Sequence, residues 1–420
     1  MKKIILSNGL RLILAPEKTG TTVTVLILVE AGSEYEIKKQ NGISHFLEHL
    51  VFKGTKKRPT SAIISSELDS MGAVYNAFTD QEYTGYWAKI QSGKVHEILD
   101  IVSDLYLNPI FDSNEIQKER GVIIEEINLY EDMPMRRVHD LFTQLLYGDQ
   151  PAGWDIGGEK DVIRTLQRED FVNYRTKHYI APATTVVVAG NFKEAEVMKA
   201  VTTTFGHLPK EKKVIKPKTK ESQKKPEIFL KHKKSDQTHL VFGVRAFDIF
   251  DNRRWAIQVL ANHLGGGMSS RLFQRVREEL GAAYYVRAGA SLSLDHGVLA
   301  ISAGIDHKKI DDVMKAIIDE CNKLKNQLIS PRDLKKTKDH LVGNFLVGLD
   351  TSDEVANFYG GQEIMTGMVA GPEEVIKKIQ AGTAVDVKKV AQFIFKNEKL
   401  NLAVIGPFKE KGRLQKLLTF

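Results

Sequence analysis

The sequence predicts an α+β protein of two homologous domains, each a mainly antiparallel sheet packed with helices, joined by a basic linker. Three observations carry that expectation. Related stretches recur about 210 residues apart, a lysine-rich segment separates them, and both sides mix short apolar strands with helical periodicity.

The recurrence is direct. Met71-Gly72-Ala73-Val74-Tyr75 precedes one alternating segment, and Leu280-Gly281-Ala282-Ala283-Tyr284 precedes another. Later, Val-Val-Val-Ala-Gly-Asn-Phe-Lys-Glu at 186–194 is echoed by Leu-Ala-Val-Ile-Gly-Pro-Phe-Lys-Glu at 402–410. A duplication with domains at 1–208 and 227–420 and a linker at 209–226 follows.

The linker accounts for most of the net charge of +7, because it holds eight lysines against two glutamates. Its prolines and lack of aromatic residues read as a solvated connector, not as an arm for nucleic acid. The chain has 420 residues, of which 42% are hydrophobic and 27% charged, as in ordinary globular proteins. A single cysteine, Cys321, excludes an intrachain disulfide and a cysteine metal cluster. No run approaches the roughly 18 apolar residues of a membrane span. Ser7-Asn8-Gly9 interrupts the opening apolar run, so no signal peptide and a cytoplasmic location are expected.

Within the first half, Ile4 to Ala15 reads as a hairpin turning at Asn8-Gly9, and Thr22 to Val29 as a β-branched strand. Ile43 to Lys53 and Ser113 to Tyr130 carry apolar residues at helical spacing.

The first of these helices contains His45-Phe46-Leu47-Glu48-His49. Each residue advances about 100°, so Ile43, Phe46, Leu47 and Leu50 form the core stripe while His45, Glu48 and His49 share another face. Two imidazoles one turn apart can share one ion. A glutamate between them then stands beside a metal-activated water. The order reverses the zinc-protease motif His-Glu-x-x-His. A catalytic zinc needs a third protein ligand. Glu126 fits on the second helix, with Glu125 as its competitor. Glu119, two turns earlier on the same stripe, is placed to orient a histidine ligand.

These residues resemble the inverzincin peptidases of family M16, which include insulin-degrading enzyme, pitrilysin and the mitochondrial processing peptidase. The pattern is His45-x-x-Glu48-His49, then 76 intervening residues, then Glu126, with Glu119 seven before it. Asn41-Gly42-Ile43-Ser44 and Gly54-Thr55 flank the motif in a similar way. The likeness spans essentially the whole chain, at the length of half-size bacterial members.

The resemblance implies one Zn2+ per chain, ligated by His45, His49 and Glu126, with Glu48 as general base. It implies that Asn76, Ala77 and Phe78 lie on an edge strand where substrate backbone adds as a further strand. Arg277 and Tyr284, from the second half, match the residues that stabilise the oxyanion of the tetrahedral intermediate. Leu260-Ala261-Asn262-His263-Leu264 keeps one histidine and loses the glutamate, so no second zinc is expected. The implied activity is a metalloendopeptidase cleaving extended oligopeptides or unfolded segments, acting as a homodimer or with a related subunit. The alternatives are a non-catalytic partner subunit of the same fold and a site-specific precursor-processing peptidase.

Overall fold

The computed structural model describes residues 1–420. It contains two sheets. The first runs β1(Lys2–Ile5), β2(Arg11–Pro16), β6(Thr184–Gly190), β3(Thr22–Val29), β5(Thr84–Gln91), β4(Val74–Thr79) from edge to edge. The second runs β7(Glu227–His232), β11(Leu400–Gly406), β8(Thr238–Arg245), β10(Gly297–Ile305), β9(Ala283–Leu292). All neighbours are antiparallel except β2 with β6 and β7 with β11. Without β1 the two strand orders are identical, so the α+β duplication expected from the sequence is present in the topology.

Local chemistry accounts for the elements that place the site. Gly9 takes φ +90° in the turn after β1, as the Asn-Gly pair predicts. The helix Ile43–Leu50 ends in a short 3-10 turn, Val51–Lys53, and stops at Gly54 with φ +156°. Thr60 accepts a hydrogen bond from Ile63 N at the start of the helix Ser61–Ser70. The long helix Ser113–Asp132 follows the predicted span.

The compact units do not follow the contiguous division at 208 and 227. One comprises residues 1–128, 154–217 and 346–371, and the other 129–153, 218–345 and 372–420. Each sheet therefore takes one covering helix from the other half of the sequence. The physical reason is that these sheets are apolar on both faces. β6 is buried along its whole length and β3 nearly so. One face of the first sheet packs Ile13, Leu26, Leu28 and Val187 against Ala356 and Ile364 of the helix Ser352–Thr366. Gly360 gives the close approach, since a Cβ there would meet Leu28 Cδ1 at 2.8 Å. Polar contacts fix the helix: Ser352 Oγ lies 2.8 Å from Thr24 Oγ1, and Asp353 pairs with Lys89 at 2.7 Å.

In the second unit, Val138, Leu141, Phe142 and Leu146 of the helix Pro134–Tyr147 cover Val241, Ala403 and Ile405. Gly243 makes the corresponding room, its absent Cβ lying 2.5 Å from Phe142 Cζ. The basic segment is mostly exposed but not free along its length. Lys216 is buried and pairs with Glu34 and, at 3.0 Å, with Glu82.

Candidate metal centre

The helix Ile43–Leu50 buries Ile43, Phe46, Leu47 and Leu50 in the core of the first unit. That packing leaves His45, Glu48 and His49 half-buried on the opposite arc. His45 Nε2 and His49 Nε2 lie 3.3 Å apart. Glu126 Oε2 lies 3.6 Å from the first and 3.5 Å from the second. A tetrahedral zinc with bonds of about 2.0–2.1 Å separates its ligand atoms by about 3.3–3.4 Å. The donor triangle thus already has the dimensions of a zinc face, and the donor set, two imidazoles and a carboxylate, suits that ion. Glu125 is exposed and accepts from Asn128 Nδ2 on the outer side of the helix. Geometry therefore selects Glu126 over its neighbour.

Glu119 reaches His49 from the same helix, with Oε1 2.9 Å from Nδ1. Its other oxygen pairs with Lys53 at 2.6 Å. Burial alone would raise the carboxyl of Glu119, but the hydrogen bonds from His49 and Lys53 hold it below the usual range. Burial likewise disfavours a charged His49, yet Glu119 and Glu126 outweigh it and push the imidazole up to about 9. The cluster is built to hold positive charge, which a divalent cation would supply.

Glu48 lies beside this triangle. Burial raises its carboxyl above the usual range, and the hydrogen bond from Thr79 is the largest opposing effect. That bond is short, 2.6 Å from Thr79 Oγ1 to Glu48 Oε2. Thr79 ends β4, which carries Asn76, Ala77 and Phe78 and forms the outer edge of the first sheet. Asn76 is exposed, Ala77 buried and Phe78 half-buried over Gly85. Sequence reasoning assigned no role to Thr79 or Lys53. The signal for Lys53 was its place one turn after His49, on the ligand face.

Arg277 and Tyr284 belong to the other compact unit. There they meet each other: Arg277 Nη1 donates to the Tyr284 carbonyl at 2.8 Å, and its guanidinium stands 5.9 Å from the Tyr284 ring. Arg277 lies on a π-helical segment, Phe273–Glu279, a conformation frequent at functional sites. The Tyr284 side chain is 73% exposed, so the pair is presented outward from its own unit.

The duplication leaves a counterpart of the metal site in that unit. Asn262, His263, Asp333 and His340 each stand 214 positions after Glu48, His49, Glu119 and Glu126. They sit on the matching helices Arg254–Gly265 and Pro331–Val347. Asn262 Oδ1 lies 3.1 Å from His340 Nδ1, and His263 Nδ1 lies 3.2 Å from Thr337 Oγ1. Burial, aided by Arg271, pushes His263 down to about 4. An amide thus stands where the first unit has Glu48, and the histidines hydrogen-bond to neighbouring side chains.

Comparison with known proteins finds relatives along essentially the whole chain. Residues 11–159 match the family model described as insulinase, peptidase family M16, and residues 165–341 the model described as the peptidase M16 inactive domain. Over 411 residues the chain is 32% identical to the uncharacterized zinc protease YmxG of Bacillus subtilis, covering 97% of this chain and 98% of the relative. The chain belongs to peptidase family M16. An uncharacterized zinc protease of Streptomyces coelicolor is also 32% identical, across 98% of this M16 chain and 90% of its own. The fold recurs in a protease from Helicobacter pylori, with a TM-score of 0.91 at 24% identity over 97% of this chain and 99% of that one. A Pseudomonas fluorescens structure, described as a peptidase M16 inactive domain, gives 0.88 at 17% identity over 97% and 98%. No helix of this M16 chain is long and apolar enough to cross a membrane.

Proposed function

We propose that this M16 chain is a zinc-dependent endopeptidase acting on extended oligopeptides or unfolded segments. The observation that carries the reading is the donor triangle of His45 Nε2, His49 Nε2 and Glu126 Oε2, with sides of 3.3, 3.5 and 3.6 Å. When bound there, zinc supplies Lewis acidity and lowers the pKa of an attacking water toward neutrality.

The chain's own residues do the rest. Glu48 takes the proton of the attacking water and returns it to the leaving amine. Thr79 directs one oxygen of Glu48 and leaves the other free for that transfer. Glu119, accepting from His49 Nδ1, keeps Nε2 of that ring as the lone-pair donor. Lys53 keeps Glu119 anionic. The outer edge of β4 offers backbone partners to an extended peptide, so recognition follows extension more than side-chain identity. Arg277 and Tyr284 supply donors to the developing oxyanion. Action as a homodimer or with a related subunit belongs to the same reading.

The test is a peptide library incubated with purified full-length protein, with products mapped by mass spectrometry before and after a chelator. Internal cleavages that vanish with chelation and return with Zn2+ support the proposal. Cleavage indifferent to chelator, or none in a zinc-loaded sample, overturns it and favours a non-catalytic subunit.

A further inference from the structure

The helix that carries His45, Glu48 and His49 is only eight residues long. An isolated helix of that length has no stability of its own, so its orientation must be imposed from outside. Its core face supplies part of the constraint. Its N-terminus is where a short helix is most free to turn, because the first N–H groups lack helical partners. The cap position is Gly42, with φ +94° and no side chain to cap anything. A Cβ there would meet Ile163, Gly157 and Gly158 within 2.7–2.9 Å, which explains the glycine and leaves the orphan donors to another residue.

That residue is Glu36, which is 2% exposed. Its Oε2 accepts from Gly42 N at 2.7 Å and from Asn41 Nδ2 at 3.0 Å. Its Oε1 accepts from Ser44 N at 2.8 Å. Both oxygens are thus spread across the start of the helix, and one holds the peptide N–H immediately before His45. Ser44 is held from its other side, its Oγ lying 2.8 Å from Tyr174 Oη. Asn41 Nδ2 also reaches the Asp155 carbonyl at 3.0 Å. No lysine or arginine balances the carboxylate. Burial accordingly holds its carboxyl up at about 7, against the pull of the Ser44 and Gly42 N–H groups.

A buried carboxylate without a cation is an expensive cap, where a serine or aspartate at the cap position would satisfy a single donor. What the two-oxygen arrangement adds is control of rotation. A turn of 10° about the helix axis moves an imidazole nitrogen some 6 Å from that axis by about 1 Å, against a tolerance near 0.2 Å for metal–ligand distances.

We infer that Glu36 is a positioning residue for the metal centre: by clamping Gly42 and Ser44 it sets the rotation of the motif helix at which His45 and His49 converge. The inference rests on the zinc reading above. It does not place Glu36 in contact with metal or substrate.

The experiment uses the full chain and four proteins: wild type, Glu36→Gln, Glu36→Asp and Val201→Ala. Val201 is fully buried on the helix Glu194–Phe205 and makes no part of the site, so its truncation is a pure stability control. Zn2+ affinity is measured by competition with a chromogenic chelator, site geometry by the visible spectrum of bound Co2+, and stability by thermal unfolding of the metal-free protein. Glu36→Gln should bind Zn2+ on the order of 10- to 100-fold more weakly and shift the Co2+ bands, the usual cost of losing a supporting partner. Glu36→Asp keeps the charge but shortens the reach, and should fall between. Val201→Ala should lower the unfolding temperature with Zn2+ affinity and Co2+ spectrum unchanged. Wild-type affinity and spectrum in folded Glu36→Gln or Glu36→Asp would overturn the inference while leaving the zinc reading intact. Absence of Zn2+ binding by the wild type would overturn both.

Discussion

Thr79 Oγ1 donates to Glu48 Oε2 at 2.6 Å, tying the last residue of the edge strand to the glutamate between the two histidines. Through this bond the strand proposed to receive substrate and the glutamate proposed to move the proton share one geometry. Replacing Thr79 by valine keeps the shape of the side chain and removes the donor. A hydrogen bond to a charged group contributes about 1.5–3 kcal/mol, so Thr79→Val should lower kcat by roughly 10- to 100-fold with a smaller change in KM, and Thr79→Ser should recover most of it. Steady-state kinetics on the three proteins decide the point. Equal kcat in Thr79→Val would make the bond incidental.

Lys53 and Glu119 form a graded pair of supports behind His49. Glu119→Gln removes the acceptor charge that fixes the ring and should weaken Zn2+ binding by about 10- to 100-fold. Lys53→Met leaves Glu119 in place and should cost less. Chelator competition gives the order directly, and a larger loss in Lys53→Met than in Glu119→Gln would contradict the chain of contacts described.

Two adjacent glycines on the helix Ser352–Thr366 should respond in opposite directions. Gly360 faces Leu28, Leu26 and Val187 of the first sheet at contact distance, whereas a Cβ at Gly361 would meet nothing within 4 Å. Gly360→Leu overpacks this seam and should destabilise the fold by about 1–3 kcal/mol. Gly361→Ala should stabilise it by roughly 0.5–1 kcal/mol through helix propensity. Urea unfolding of both variants tests whether this helix covers the first sheet. Indifference to Gly360→Leu would mean that it does not.

His178 provides a pH test of core packing. It is 3% exposed, stacks on Tyr174 at 4.2 Å, and its Nδ1 has no hydrogen-bond partner. Burial, with Lys177 nearby, pushes it down to about 4. Since the folded pKa lies below the unfolded value near 6.5, its neutral form costs nothing above that pH. Stability is then lost as pH falls from about 6.5 through about 4, by up to about 3 kcal/mol. His178→Phe keeps a stacking ring and cannot titrate. The stability of the wild type relative to this variant should fall across that window, and parallel curves would contradict the assignment.

What the sequence disclosed follows from how far apart the cooperating residues lie. His45, Glu48 and His49 are legible because one helical turn brings them together, and the hairpin at Gly9 because Asn-Gly dictates its own turn. The choice of Glu126 over Glu125 came from the family resemblance, since helical periodicity alone left both open. Glu36 was hidden in Ser33-Glu34-Tyr35-Glu36, which reads as a solvated acidic stretch although all four residues are buried. The exchange of covering helices was also hidden, since the patterns of Pro134–Tyr147 and Ser352–Thr366 do not say which sheet each covers. A partial signal existed: the unbroken apolar run of β3 demands cover on both faces. Arg277 and Tyr284 came only from the family resemblance, because nothing local marks an arginine on a helix or a tyrosine on a strand as functional.

The central claim is that Glu48 moves the proton at a zinc held by His45, His49 and Glu126. Its most direct test is Glu48→Gln, assayed in one preparation for bound zinc by elemental analysis and for turnover of a cleaved peptide. The account predicts about one zinc per chain, an unchanged fold by circular dichroism, and turnover reduced by about 10²- to 10⁴-fold, the contribution of general-base catalysis. Near wild-type turnover in a zinc-loaded Glu48→Gln protein would contradict it.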